Sequence, residues 1–374
     1  MPDFADEAVT PQVRKAAAWA WRLVVLAAAA AVLFWLIQRF VVIVVPLALA
    51  LILTALFLPA VDWLHRRRVP RSLAVILVFL LGLGALGGLL TFVVTRFIEG
   101  LPHLIDQITV SIDALRDWAA NGPLELGQQQ INNAVDSAIG TLQQRQAEIT
   151  SGVVSTASAL ATFLTGFFIT VFTLIVFLHG GRSIYEFVTR IVPLQVRERV
   201  RDAGRSGFTT LTGYVQGTFV VALVDGIGIG IGLLVLGIPL ALPLASLVFL
   251  GAFVPFVGAM VTGFLAVIVA LIAKGWIYAL ITLGLIIAVQ QLEGHVLQPL
   301  VMGRAVSIHP LAIVLAIAGG AVLAGIVGAL LAVPVLAFLN SAVRVLLADD
   351  PVAEEEAQEA DDAPVIEAEP DDVE

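Results

Sequence analysis

Residues 290–304 read QQLEGHVLQPLVMGR and separate two strongly apolar segments. This stretch is unusually polar for a chain in which 59% of residues are hydrophobic, and its polar members are Gln290, Gln291, Glu293, His295, Gln298 and Arg304. Polar groups are costly at or within a membrane, so this concentration requires an explanation. Two interpretations fit it: a substrate or ion site, or a solvated loop between two helices.

The composition on either side of this stretch indicates an all-α, polytopic integral membrane protein. Only 13% of the 374 residues are charged, and the mean hydropathy is +1.00. Several apolar runs reach the roughly 20 residues that an α-helix needs to cross about 30 Å of hydrocarbon. Strands of a membrane barrel would be shorter and would alternate apolar with polar residues, a pattern that this sequence lacks.

Charge is distributed unevenly along the chain. The formal net charge is -9, but residues 349–374 hold 13 of the 29 acidic residues and no basic residue. We expect this acidic tail to be disordered. Basic residues cluster instead at 65–71 and 182–205, between apolar runs. The positive-inside rule therefore places both clusters, together with both termini, in the cytoplasm.

Several classes of function are excluded or disfavoured by the residues present. The chain has no cysteine, which excludes disulfides, thiol catalysis and cysteine-ligated metals. The sequence has no phosphate-binding loop of the form Gly-x-x-x-x-Gly-Lys, and no motif of a zinc protease or serine hydrolase. We therefore predict a protein that is not an enzyme, uses no cofactor or metal, and binds no nucleic acid.

The hydropathy pattern divides the chain into five regions. A short cytoplasmic arm precedes three spans, an amphipathic extracytoplasmic region of two helices follows, and the C-terminal spans form a transport region that ends in the acidic tail. The predicted bounds are 1–15 for the arm, 16–96 for spans one to three, 97–150 for the amphipathic helices, 151–348 for the transport region with its cytoplasmic segment 180–212, and 349–374 for the tail.

Asp225 lies in the middle of a predicted span, and four alternate glycines follow it. An acidic side chain at the centre of a span costs about 2.5–3.5 kcal/mol and usually faces the bundle interior or a cavity. Glycines in a span either unwind the helix and expose its carbonyls, or let neighbouring helices approach closely. The candidate helix breaks in this half of the chain are Gly226, Gly228, Gly319, Gly320, Gly325 and Pro334.

Two apolar segments, 243–273 and 309–347, do not fit single helices comfortably. The first is interrupted around Pro255 and Gly258, and the second by a series of glycines. Two topologies remain open: eight single spans, or six spans with two broken or re-entrant hairpins. Only the positions of Lys274 and Arg304 distinguish them.

The run LEGHVLQPLVMGRAVSIHPLAIVLAIAGGAVLAGIVGALLAVPVLAFL, residues 292–339, closely resembles the signature region of the autoinducer-2 exporter family, the PerM-like permeases. VPFVGAMVTGFLAVIVAL at 254–271 and GYVQGTFVVALVDGIGIGIGLLVLGIP at 213–239 resemble further motifs of that family. The resemblance implies an eight-span protein of the bacterial cell inner membrane. It also implies export of the quorum-sensing signal autoinducer-2 or, as in some relatives, sodium/proton antiport.

The residues themselves supply candidates for either activity. A neutral, hydroxyl-rich solute would need hydrogen-bonding groups such as Gln290, Gln291 and Gln298, with exposed carbonyls near Pro255 and Gly258. A proton-coupled cation mechanism would need titratable groups within reach of one another. The groups available for it are Asp225, Glu293, His295 and His309.

The leading hypothesis is a secondary transporter in the lipid bilayer that exports a small polar solute such as autoinducer-2. A sodium/proton antiporter is the alternative. A membrane scaffold that binds partners through residues 97–150 and the acidic tail is the third hypothesis. Glycine-rich helix faces favour a homo-oligomer, without fixing its stoichiometry.

Overall fold

The structure, a computed structural model, describes residues 11–121, 157–255, 257–297, 299 and 309–348, and this part of the chain is almost entirely helical. Besides the α-helices there are a 3₁₀ turn at Thr189–Ile191 and a π-helical turn at Glu293–Leu297. The helices are α1 (Pro11–Arg39), α2 (Val41–Arg66), α3 (Arg71–Asn121), α4 (Ala157–Val188), α5 (Leu194–Val235), α6 (Ala241–Gly251), α7 (Val257–Lys274), α8 (Trp276–Leu292) and α9 (Pro310–Leu347).

Seven of these helices are long and apolar enough to cross a membrane, whereas α6 and α7 are shorter apolar helices. The chain is therefore a multi-pass α-helical membrane protein, as its composition predicts. Large apolar side chains are exposed along α1, including Trp19, Trp21 and Trp35. Such exposure suits contact with lipid rather than water.

One end of the helix bundle gathers the basic segments, and we call it the basic end. At the start of α3, the Arg71 guanidinium donates two hydrogen bonds, of 3.2 and 3.1 Å, to the Leu178 carbonyl on α4. Near the start of α5, Arg199 donates to the carbonyl of Ala348, just after α9. The α2–α3 turn, the α4–α5 turn and the end of α9 therefore share this end.

The α6–α7 pair is a helical hairpin whose two outer ends lie together. The Lys274 ammonium at the end of α7 donates a 2.8 Å hydrogen bond to the Leu236 carbonyl, just before α6. At the tip, a Cβ placed on Gly258 would lie 1.7 Å from the carbonyl oxygen of Gly251. The two helices thus meet backbone to backbone. Of the two predicted topologies, the position of Lys274 favours the one with a hairpin here.

A second hairpin is formed by α9, which folds back on itself at Ala324 and Gly325. Gly325 has φ 61° and ψ -142°, a conformation that glycine adopts without a steric penalty. A Cβ on Gly320 would lie 2.3 Å from the carbonyl oxygen of Gly328, so the two arms touch near the fold. Arg304, the other residue that distinguishes the topologies, lies outside the described residues.

Five of the six residues predicted as helix breaks do not interrupt a helix. α5 is helical from Leu194 to Val235, so no break exists at Gly226 or Gly228. Within α9 the non-helical residues are Ala324 and Gly325. Gly319, Gly320 and Pro334 therefore lie inside its helical arms, and of the residues predicted to break this helix only Gly325 does so.

Two helices are longer than a membrane span requires. α2 continues through Pro59 to Arg66, although a proline ordinarily ends a helix. α3 continues without a break from the third span to Asn121, so the first predicted amphipathic helix is its extension. The second predicted amphipathic helix, the N-terminal arm and the acidic tail lie outside the described residues.

Candidate functional site

The central helix of the site is α5, which carries Asp225. This helix contacts α2, α6, α8 and α9. The side chain of Asp225 is only 3% exposed. Asp225 lies 20 residues after Arg205 of the basic end, which corresponds to roughly 30 Å along the helix axis. The acid is therefore deep within the bundle, as its position in an apolar run predicts.

Glycines on α5 let two neighbouring helices approach Asp225. Gly226 and Gly230 face α6, where a Cβ on Gly230 would lie 2.8 Å from the Ala245 side chain. Gly228 and Gly232 face α8, and a Cβ on either would meet a side chain of that helix. Each pair is spaced four residues apart and so lies on one helix face. These glycines serve close packing and not unwinding.

Glu293 is the residue that the fold brings to Asp225. It is half-buried and begins the π-helical turn that follows α8. The carboxyl groups of the two residues are hydrogen-bonding neighbours. A π turn holds more residues than an α turn and so changes the direction in which the following side chains leave the helix, and such turns are frequent at functional sites. The structure thus places two acids from distant sequence positions side by side in the bundle.

The two helices α5 and α8 also hold buried polar atoms without hydrogen-bond partners. Among the described residues they are Asp225 Oδ1 and the hydroxyl oxygens of Thr218 and Thr282. Thr218 is on α5, two turns before Asp225, and Thr282 is on α8. An unsatisfied polar atom in an apolar interior costs about 1–3 kcal/mol, so native proteins keep few of them without a reason. Sequence reasoning missed both threonines, because a threonine in a span ordinarily bonds to its own helix backbone.

The other predicted polar site residues differ from the acid pair in burial and position. Gln290 is half-buried one turn before Glu293, whereas Gln291 and His295 are exposed. His309 caps α9, since its Nδ1 accepts a 3.2 Å hydrogen bond from the Leu311 amide. Gln298 and Arg304 lie outside the described residues.

Pro255 and Gly258 belong to the tip of the α6–α7 hairpin and not to the acid pair. The tip packs on α5 through three phenylalanine rings, Phe219, Phe249 and Phe253, whose centroids lie 5.6–6.5 Å apart. Gly258 is buried against Gly251. The hairpin therefore contacts α5 through the aromatic side chains of Phe249 and Phe253.

A cavity of about 780 Å³ lies elsewhere in the bundle, between α2, α3, α4 and the fold of α9. Its lining is apolar apart from Thr162 and Thr170, and it includes Ala324 and Val327 at the fold. Asp225 and Glu293 are not among the lining residues. Within the described part of the chain, no group of three or more His, Asp or Glu side chains could hold a metal ion.

Comparison with known proteins gives a consistent family assignment. The family described as AI-2E family transporter matches residues 23–348. A "putative transport protein" of Mycobacterium tuberculosis (strain CDC 1551 / Oshkosh) is 59% identical over 349 residues, which cover 93% of this chain and 95% of that protein. A "putative transport protein" of Bacillus subtilis (strain 168) is 32% identical, covering 84% and 89%. A protein of Halobacillus andaensis named a sodium-lithium/proton antiporter is 27% identical, covering 80% and 88%.

Proposed function

The chain belongs to the AI-2E transporter family, and from this premise we propose that it exchanges protons for a monovalent cation at the paired carboxyl groups of Asp225 and Glu293. The proposal rests on one observation above all. Two acids from separate helices meet inside an apolar bundle, where a charged group needs compensation.

The chemistry of such a pair suits exchange. Two neighbouring carboxylates repel each other, and this repulsion is relieved either by a shared proton or by a bound cation. Carboxylate oxygens are hard ligands, as small hard cations prefer. Because the proton and the cation relieve the same repulsion, binding of one disfavours the other. Competition of this kind is the requirement for antiport.

The name of a distant relative supports this proposal. The Halobacillus andaensis protein bears the name of a sodium-lithium/proton antiporter and aligns with most of this chain. Sodium and lithium are therefore the first cations to test. We further infer a bacterial inner membrane location from the family, and the basic segments at one end of the bundle favour an orientation with that end and both termini in the cytoplasm.

The test is transport by the purified protein in proteoliposomes that contain a pH-sensitive dye. Addition of sodium or lithium to vesicles with an imposed pH gradient should cause a rapid change in luminal pH. Asp225→Asn and Glu293→Gln keep the side-chain size but remove the charge, so each should reduce the initial rate by at least about tenfold, equivalent to about 1.4 kcal/mol.

The matched control is Asp202→Asn, an exposed acid on the same helix that pairs with Arg205 at 3.0 Å. It should transport at the wild-type rate. Size-exclusion profiles of all variants would show that they remain folded. Wild-type rates for Asp225→Asn and Glu293→Gln, in properly folded protein, would refute the role of the pair.

A second candidate, export of a small polar molecule such as autoinducer-2, is supported by the family and by Gln290. This amide is half-buried one turn before Glu293 and could bond to a neutral hydroxyl-rich solute. Uptake of labelled autoinducer-2 into inverted vesicles tests it. If export is the function, Gln290→Leu should reduce uptake, while Gln291→Leu, at the exposed neighbour, should not.

A further inference from the structure

The basic end carries a fixed, positively charged surface, which we call the arginine surface and define by Arg182, Arg190, Arg197, Arg199, Arg201 and Arg205. Hydrogen bonds hold its backbone in place. The Tyr185 hydroxyl at the end of α4 donates to the Val200 carbonyl on α5 at 2.9 Å. Arg197 donates to the carbonyls of Val192 and Arg190, at 3.0 and 2.8 Å. The surface is therefore preformed.

Three acids on this surface neutralise only half of its arginines. Arg182 pairs with Glu186, Arg201 with Glu198, and Arg205 with Asp202. Within the part of the chain that the structure describes, Arg190, Arg197 and Arg199 have no carboxylate partner. Arg190 is exposed. An uncompensated cluster of three cationic groups attracts anionic partners.

The described chain ends on this same surface. Arg199 donates a hydrogen bond to the carbonyl of Ala348, the last residue before the acidic tail. Residues 349–374 contain 13 acidic and no basic residues. Nine residues of fully extended chain, the distance in sequence from Ala348 to Ala357, reach up to roughly 30 Å. Several of these acids are therefore within range of the surface.

From this arrangement we propose that the acidic tail, residues 349–374, docks on the arginine surface of its own chain. The tail begins at the surface, carries the complementary charge, and is tethered there at high effective concentration. Its docking joins the start of α5, the helix that carries Asp225, to the end of α9. Anionic lipid headgroups are the competing occupant, and the experiment distinguishes the two.

Because the chain has no cysteine, pairs of introduced cysteines can be cross-linked without background. The test pair is Ile191→Cys with Ala357→Cys, treated with a short bismaleimide in the full-length protein; Ile191 is exposed next to Arg190, so its replacement leaves the charge of the surface unchanged. The control pair is Pro239→Cys with Ala357→Cys, since residue 239 lies near Lys274 at the other end of the bundle. We expect intramolecular cross-linking in the test pair and none in the control pair.

Charge dependence decides between docking and chance collision. The Debye length falls from about 30 Å at 0.01 M salt to about 3 Å at 1 M, so cross-linking should fall severalfold over that range. Replacing Glu354, Glu355 and Glu356 with Gln in the test pair should lower the yield at low salt. Yields unaffected by both salt and charge would overturn the proposal, as would cross-links formed only between molecules.

The headgroup alternative is tested in lipid nanodiscs of two compositions. If the tail is the occupant, the test pair should cross-link in phosphatidylcholine and also in phosphatidylglycerol discs. Loss of the cross-link in phosphatidylglycerol alone would assign the surface to lipid headgroups and overturn the proposal.

Discussion

Gln216 on α5 supplies a hydrogen bond that Pro59 takes away from α2. Proline has no amide hydrogen, so within a helix the carbonyl four residues earlier loses its donor. That carbonyl belongs to Ala55, and the Gln216 side-chain amide donates to it at 3.4 Å. Ala55 is fully buried, so no water would replace the bond. This contact explains how α2 continues through a residue that ordinarily ends a helix.

We expect Gln216→Leu to destabilise the protein by about 1–3 kcal/mol, because it leaves the Ala55 carbonyl without a partner. In a Pro59→Ala background the restored amide satisfies that carbonyl, and the same Gln216→Leu change should cost clearly less. Thermal unfolding in detergent of the four proteins in this double-mutant cycle measures the difference. Equal costs in both backgrounds would show that the two residues are not coupled.

The glycines at the hairpin tips are a second feature of single residues. A methyl group at Gly258 would collide with the Gly251 backbone, so Gly258→Ala should destabilise the protein by at least about 1–3 kcal/mol. Gly284 on α8 is the matched control, since a Cβ there meets nothing within 4 Å. Gly284→Ala should be neutral or stabilise by up to about 1 kcal/mol. Unfolding midpoints that fall equally for both variants would contradict the close backbone approach.

At the scale of elements, two helical hairpins of different construction enter the bundle from opposite ends. The outer ends of α6 and α7 lie together through Lys274 and Leu236. The arms of α9 return to the basic end, where Arg199 reaches Ala348. Val254 at the tip of the first hairpin, together with Ile317 and Val333 on the arms of the second, packs in one cluster with residues of α2 and α5. The two hairpins therefore meet on α5.

This topology predicts a specific pattern of cysteine labelling when intact cells are compared with inverted membrane vesicles. Pro239→Cys and Lys274→Cys should react with a membrane-impermeant maleimide from one side of the membrane, because both flank the first hairpin. Arg190→Cys and Ala348→Cys should react only from the other side. Labelling of residue 274 from the side opposite to residue 239 would mean that α6 and α7 cross the membrane as one span.

Sequence alone could predict much at the level of elements. The long apolar runs indicate the spans, and the interruptions at Pro255 and the α9 glycines indicate hairpins as one of two topologies. The extension of α2 through Pro59 could not be predicted, because its cause is a side chain on α5, more than 150 residues away. Similarly, an alternating glycine run is compatible with both unwinding and packing until the neighbouring helices are known.

At the scale of the whole molecule, the pairing of Asp225 with Glu293 joins the central span to the polar stretch after α8. Each acid is recognisable in the sequence as a polar group in an apolar setting. Their contact depends on the packing of α5 against α8 and on the π-helical turn after Leu292, and neither is encoded locally. At the tip of the hairpin that carries Pro255, the ring centroids of Phe219 and Phe253 lie 6.5 Å apart, and a polar pathway shared by this hairpin and the acid pair stays a prediction.

The most direct measurement of the proposed mechanism is proton release by purified protein in weakly buffered detergent solution. If a cation and a proton compete for the acid pair, adding sodium or lithium chloride should release protons, whereas choline chloride at the same ionic strength should not. Asp225→Asn should abolish the release, and Asp202→Asn should leave it unchanged. No release from the wild type at any pH between 6 and 9, or undiminished release from Asp225→Asn, would contradict the exchange of ions at this pair.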